Sequence, residues 1–141
     1  MSGYSAFLEG VAVTMKSSMQ KIVSLSVTES EMVSAVQCVQ DMMYIKRLIE
    51  SMELKVESPM ELDIDNRGAQ DLFNNWKVGG HTRHMETRMF FLSDLQEERM
   101  IKIKWKKGTE NPVDMFTKNL SGLAFNKCAK FFVGDDEYMN E

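Results

Sequence analysis

Alternation of apolar and polar residues predicts the strands of this chain. A first apolar stretch from Tyr4 to Val13, interrupted by Glu9-Gly10, fits one strand or a hairpin arm. Every second residue is then apolar in three further segments, at residues 23–27, 60–65 and 100–107. Because successive side chains of a strand point to opposite faces, each of these segments has one face for a core and one for solvent.

Helical spacing predicts the remaining elements. Thr28 and Glu31 have the capping-box arrangement, with Thr28 as N-cap, and the apolar spacing after them continues to about Met52. Asn111-Pro112 has the form of another helix start, with Asn as N-cap. Further helices are expected over residues 69–76, 82–98 and 123–133.

The order of these elements predicts a mixed α/β domain over residues 1–133, followed by an acidic tail at 134–141. The strands at 60–65 and 100–107 follow helices, which allows parallel crossover pairing. A hydrophobic content of 43% and a charged content of 27% exclude a disordered chain, a collagen and a disulfide scaffold.

Cysteine content and hydropathy indicate an intracellular protein. Cys38 and Cys128 are too few for a disulfide framework and are expected to be buried thiols in a reducing compartment. No apolar run is long enough to span a bilayer, and no signal peptide is visible, so we expect no membrane partner.

Three acids stand at the ends of predicted elements, where α/β proteins usually carry function. Glu31 opens the long helix, Asp65 ends a strand, and Asp114 lies in the first turn of a helix. If these carboxylates meet, they would suit Mg²⁺, and two such ions can support phosphodiester hydrolysis. The alternative is structural: a capping box, a turn and a favourable helix start account for the same three residues.

A basic strand face is the second candidate. Lys102, Lys104 and Lys106 alternate with apolar residues and form a possible phosphate-contact surface, or simply a solvated outer face. The net charge of −4 excludes nucleic-acid binding through overall charge, but residues 76–107 are basic while residues 1–65 are acidic. His84, beside Arg83, is an ordinary phosphate contact or helix-start residue rather than a zinc ligand.

Four segments together resemble a known family. Residues 21–31 (KIVSLSVTESE), 62–69 (LDIDNRGA), 81–88 (HTRHMETR) and 111–118 (NPVDMFTK) are similar, in the same order, to motifs of copia-type retrotransposon polyproteins. The resemblance is to the RNase H domain at the C-terminal end of the reverse-transcriptase region.

This resemblance implies the RNase H-like fold, a central mixed sheet of about five strands flanked by helices. It implies cleavage of the RNA strand of an RNA–DNA hybrid with two Mg²⁺ or Mn²⁺ ions, and the reverse transcriptase domain of the same polyprotein as a partner. By motif, the second, third and last acidic ligands are Glu31, Asp65 and Asp114. The resemblance also gives nucleic-acid contacts to the basic residues Lys102, Lys104, Lys106, Arg83 and His84.

The resemblance is incomplete at the N-terminus. The first catalytic Asp of the family lies on a strand just before a Ser-Gly-Tyr motif, and this chain begins Met-Ser-Gly-Tyr. We therefore expect the first strand and its Asp to be absent, with weak Mg²⁺ binding and little or no hydrolysis. The alternatives are a catalytically dead remnant that binds nucleic acid or a protein partner, and a structural domain with no site.

Overall fold

The chain opens with a β-hairpin. In the computed structural model, which describes residues 2–18, 27–74 and 83–133, β1 (Ser2–Leu8) pairs antiparallel with β2 (Val11–Ser18). Glu9 and Gly10 form the turn with φ values of 51° and 81°. Positive φ at both central residues is what a type I′ hairpin turn requires. The interrupted apolar stretch is therefore a hairpin arm.

A long helix, α1 (Val27–Ser51), packs against β1. Its end agrees with the prediction, and the buried residues Met32, Val36 and Val39 lie on the predicted face. Its start corrects two predictions: Val27 is helical rather than the end of a strand, and Thr28 therefore lies inside the first turn instead of capping it. Residues 23–26 of that predicted strand lie outside the described residues.

A parallel strand pair forms the second half of the fold. β3 (Met60–Ile64) pairs in parallel with β4 (Ile101–Trp105), which confirms the crossover. The crossover contains α2 (Arg67–Asn74) and α3 (Arg83–Glu97). Alternate residues of both strands are buried, as their periodicity predicts: Leu62, Ile64, Ile101 and Ile103.

The C-terminal part starts its helices later than predicted. A 3₁₀ turn (Gly108–Glu110) precedes α4 (Asp114–Thr117) and α5 (Gly122–Val133). Asn111 is not the helix N-cap, because residues 111–113 form a turn in which its Oδ1 accepts a hydrogen bond from the Val113 N–H at 3.2 Å. The tail at 134–141 lies outside the described residues.

The described residues form a mixed α/β architecture with two small sheets rather than one central sheet. The antiparallel pair β1–β2 and the parallel pair β3–β4 supply both kinds of pairing, but β1 and β3 are not hydrogen-bonded to each other. Instead they line the same cleft, of about 1020 Å³, beside α1. None of the helices that the structure describes has the length and hydropathy needed to cross a membrane.

Candidate functional site

Two of the predicted acids meet through a lysine. Asp65 follows β3 and Asp114 opens α4, yet the Lys118 ammonium lies 3.0 Å from the Asp114 carboxylate and 3.4 Å from Asp65 Oδ2. Both carboxylates also approach Gly108, where a Cβ would lie 3.4 Å from Asp65 Oδ2 and 3.7 Å from Asp114 Oδ2. Residues 49 positions apart in sequence therefore share one small space, and a side chain at position 108 would crowd it.

Trp105 holds the backbone at Asp65 in place. Its indole Nε1 donates a hydrogen bond to the Asp65 carbonyl oxygen at 3.0 Å. The Arg67 guanidinium lies 4.2 Å from the centre of the same ring, which is the geometry of a cation–π contact. The end of β3 is thus fixed from both sides, and the Asp65 carboxylate starts from an anchored backbone.

Glu31, in the first turns of α1, is the third acid of the cluster. Partial burial, followed by repulsion from the Asp65 and Asp114 carboxylates, raises the pKa of Glu31 to about 7, while Lys118 acts in the opposite direction. The structure therefore brings the three acids predicted from sequence to one end of the cleft, here called the acidic cluster (Glu31, Asp65 and Asp114).

Lys118 belongs to this cluster and was not predicted. The hydrogen bond to Asp114, together with the nearby carboxylates, raises the pKa of the Lys118 ammonium. The spacing of four residues between Asp114 and Lys118 was the available signal, because side chains at i and i+4 are neighbours on one helical turn. Its contact with Asp65 needs the tertiary fold and could not be found from spacing.

The acidic cluster suits a metal in its chemistry but not in its present arrangement. Carboxylate oxygens are the ligands that Mg²⁺ and Mn²⁺ prefer. Within residues 2–18, 27–74 and 83–133, however, no three Asp, Glu, His or Cys side chains come close enough together to hold a metal ion. The ammonium of Lys118 is the cation that bridges Asp65 and Asp114.

The basic strand face is matched by acids on the neighbouring strand. Glu61 lies opposite Lys102 and Asp63 opposite Lys104 in the parallel register. Lys104 forms an ion pair with Glu61, and the Lys106 ammonium lies 3.3 Å from Asp63 Oδ2. The hydrogen bond from Lys104 lowers the pKa of Glu61. The row of carboxylates on β3 is thus neutralised by the row of lysines on β4.

These pairs change how the predicted nucleic-acid contacts have to work. A phosphate at Lys104 or Lys106 would compete with a carboxylate that is already in contact, while Lys102 is exposed at the start of the same face. The side chains of Arg83 and His84, although their backbone belongs to α3, lie outside what the structure describes. Their predicted role stays a prediction.

Comparison with known proteins adds one relationship. The chain is similar to part of a retrotransposon polyprotein. It is 28% identical, over 127 residues and 90% of its own length, to the Retrovirus-related Pol polyprotein from transposon TNT 1-94 of Nicotiana tabacum. It spans only 10% of that relative. The similarity supports an origin in copia-type Pol; no protein-family description matches the sequence, and no solved structure does.

Proposed function

We propose that this chain is the RNase H-type region of a copia-type retrotransposon Pol polyprotein, acting on the RNA strand of RNA–DNA hybrids. The observation that carries the proposal is the convergence of Glu31, Asp65 and Asp114 from three separate elements on one end of the cleft. The similarity to a retrotransposon Pol polyprotein supports it independently. The two small sheets and flanking helices are compatible with an incomplete RNase H-like fold.

The acidic cluster would hold the divalent cations of this reaction. Glu31, Asp65 and Asp114 supply the oxygen ligands, and bound Mg²⁺ or Mn²⁺ supplies an activated water and neutralises charge on the phosphate. Two features of the chain oppose binding. Lys118 has to leave both aspartates, and Glu31 has to lose its proton, because its pKa of about 7 lies near neutrality.

Both features give the proposal its expected behaviour. Metal binding by this chain is weak and strengthens as the pH rises through 7, since deprotonated Glu31 is the better ligand. Hydrolysis by the chain is low, and the reverse transcriptase domain of an intracellular Pol polyprotein is the natural partner. An upstream segment that carries a further carboxylate would complete the ligand set.

A catalytically dead remnant is the second candidate. The bridging ammonium of Lys118 supports it, as does the lack of a three-ligand metal group among the described residues. In this alternative the acidic cluster is a structural ion-pair network, and the fold binds nucleic acid or a protein partner without hydrolysis.

Mn²⁺ titration combined with a hybrid-cleavage assay separates the two. We expect calorimetry at pH 8 to detect Mn²⁺ binding that weakens at least about tenfold in Asp65→Asn, since a charged ligand is lost. Asp71→Asn, on the exposed side of α2, is the matched control and should leave binding unchanged.

Cleavage of a labelled RNA–DNA hybrid is then compared between this chain and a version extended upstream by an Asp-bearing strand. The proposal predicts cleavage that rises with the extension and disappears in Asp65→Asn. If Mn²⁺ does not bind and neither version cleaves, the hydrolase assignment is wrong and the remnant stands.

A further inference from the structure

The cleft between the two sheets is bordered by strand edges. Its lining contains six consecutive residues of β1, Gly3–Leu8, and six consecutive residues along β3, Met60–Asp65. Alternate residues of a strand point to opposite faces, so a cleft that touched one face would be lined by every second residue. Consecutive lining shows that the cleft runs along the backbone edges of β1 and β3.

Both edges are open to a further strand. Among the described residues β1 pairs only with β2, and β3 pairs only with β4, so the opposite edge of each faces the cleft. Open edges present rows of backbone N–H and C=O groups that pair readily with an extended segment. The buried Ser5 hydroxyl of β1, which also lines the cleft, has no hydrogen-bond partner in the described part of the chain.

The floor of the cleft is apolar and comes from α1. The residues that line it recur at helical spacing along one side of the helix: Ala35, Cys38, Met42, Ile45 and Ile49. Burial raises the pKa of the Cys38 thiol to about 12, so this position is neutral as well as apolar. Such a floor suits a strand whose inward side chains are apolar and whose outward side chains are polar.

The size of the cleft matches one strand. A strand occupies about 4.8 Å between its neighbours, about 10 Å across the sheet and about 3.3 Å along its length for each residue. That is roughly 160 Å³ per residue. The cleft volume of about 1020 Å³ therefore accommodates about six residues, which agrees with the lengths of its two borders.

We propose that the cleft accepts one extended segment of about six residues, inserted as a strand between β1 and β3, and that its source is the polypeptide adjoining Ser2 in a longer polyprotein. β1 begins at Ser2 and Gly3 already lines the cleft, so a tight turn there directs adjoining polypeptide antiparallel along the open edge. The relative is about ten times longer than the region this chain matches. The inserted strand joins the two sheets into one, and this acceptor role does not depend on the hydrolase assignment.

The test joins a six-residue segment of alternating Val and Thr, followed by an Asn-Gly turn, to the chain before Ser2. A second version carries the same residues in blocks, three Val and then three Thr, which removes the alternation. Hydrogen exchange of the β1 and β3 amides is measured in EDTA, so the acidic cluster's metal chemistry has no part in the result. We expect at least about tenfold slower exchange in both strands with the alternating segment than with the block segment.

Two matched variants locate the protection. Ile45→Glu places a charge on the apolar floor and should reduce the protection about tenfold, as expected for the loss of one buried apolar side chain. Tyr44→Glu changes the neighbouring exposed residue of α1, outside the cleft, and should have no effect. Circular dichroism verifies that both variants stay folded.

Three outcomes would overturn the proposal. Equal protection by the alternating and block segments would show that no strand register forms. Protection that survives Ile45→Glu would place the segment elsewhere. Dimers of the unextended chain in sedimentation, with the β1 and β3 amides already protected, would make a second copy the occupant.

Discussion

Lys118→Met tests the central feature of the acidic cluster, because it removes the bridging charge and keeps most of the side-chain length. In the wild-type chain the ammonium contacts Asp114 at 3.0 Å and Asp65 at 3.4 Å, and it opposes the rise in the pKa of Glu31. The variant leaves the carboxylates facing one another without a counter-charge. Its folded state should therefore lose stability when no metal is present.

The expected loss is modest because Lys118 is half exposed. Its side chain keeps 52% of its accessible surface, so water and salt screen both ion pairs. Exposed pairs contribute up to about 1 kcal/mol each, and two pairs that share one ammonium contribute roughly 1 kcal/mol together. A loss of that size lowers the melting temperature of a chain of this length by about 3–5 °C.

Removal of the ammonium should also ease metal binding. Wild-type protein has to displace Lys118 before Mn²⁺ reaches the carboxylates, and the variant does not. The same free energy of roughly 1 kcal/mol corresponds to about fivefold tighter Mn²⁺ binding. The stability deficit in EDTA should then shrink or reverse at saturating Mn²⁺, because a ligand that binds only the folded state stabilises it.

Thermal melts in EDTA and in MnCl₂, together with calorimetric titration at pH 8, measure both effects. Lys127→Met, on the exposed side of α5, is the control for loss of a surface lysine and should change neither quantity. Equal stability of Lys118→Met and wild type in EDTA, or weaker Mn²⁺ binding by the variant, would refute the idea that Lys118 serves as the cation of the cluster.

Three other changes follow from the same structure. Glu31→Gln should be about 1–2 kcal/mol more stable than wild type at pH 8 and show no such gain at pH 4, in urea titrations; the folded-state pKa of about 7 exceeds the ordinary 4.5, so wild type loses stability as the pH rises through 7. Glu61→Gln should strengthen binding to an RNA–DNA hybrid and steepen its salt dependence if the lysine face contacts phosphate, because Lys104 is released; unchanged binding would contradict that role. Leu92→Ala, at a fully buried position, should cost about 3 kcal/mol of unfolding free energy in urea, and a loss below 1 kcal/mol would show that the α3 packing is misplaced.

Much of the fold could be predicted because periodicity and burial agree in it. The buried residues of α1 lie at the spacing that predicted its inner face, and Leu62 and Ile103 occupy matching inward positions of the parallel pair. The positions of Glu31, Asp65 and Asp114 at element ends were equally visible, because caps and strand ends have local signals.

The rest depends on tertiary contacts that have no local signal. Asn111-Pro112 has the composition of a helix start, yet a turn forms there and α4 begins at Asp114. The arrangement of the strands as two sheets depends on the edges of β1 and β3, and alternation of side chains describes faces rather than edges. The contact between Lys118 and Asp65 crosses 53 residues, so no spacing rule predicts it.

The distribution of charge explains why the acidic cluster, and not the lysine face, is the stronger binding candidate. On β3 and β4 each contacting lysine already has a carboxylate partner, so an arriving phosphate gains only what it takes from an exposed ion pair. In the acidic cluster three carboxylates share the single ammonium of Lys118, and the raised pKa of Glu31 shows that this ammonium does not neutralise them. A group that retains a proton near neutral pH for lack of positive charge exchanges that proton for a cation at low cost. The cluster therefore gains more from an added cation than the lysine face gains from an added anion.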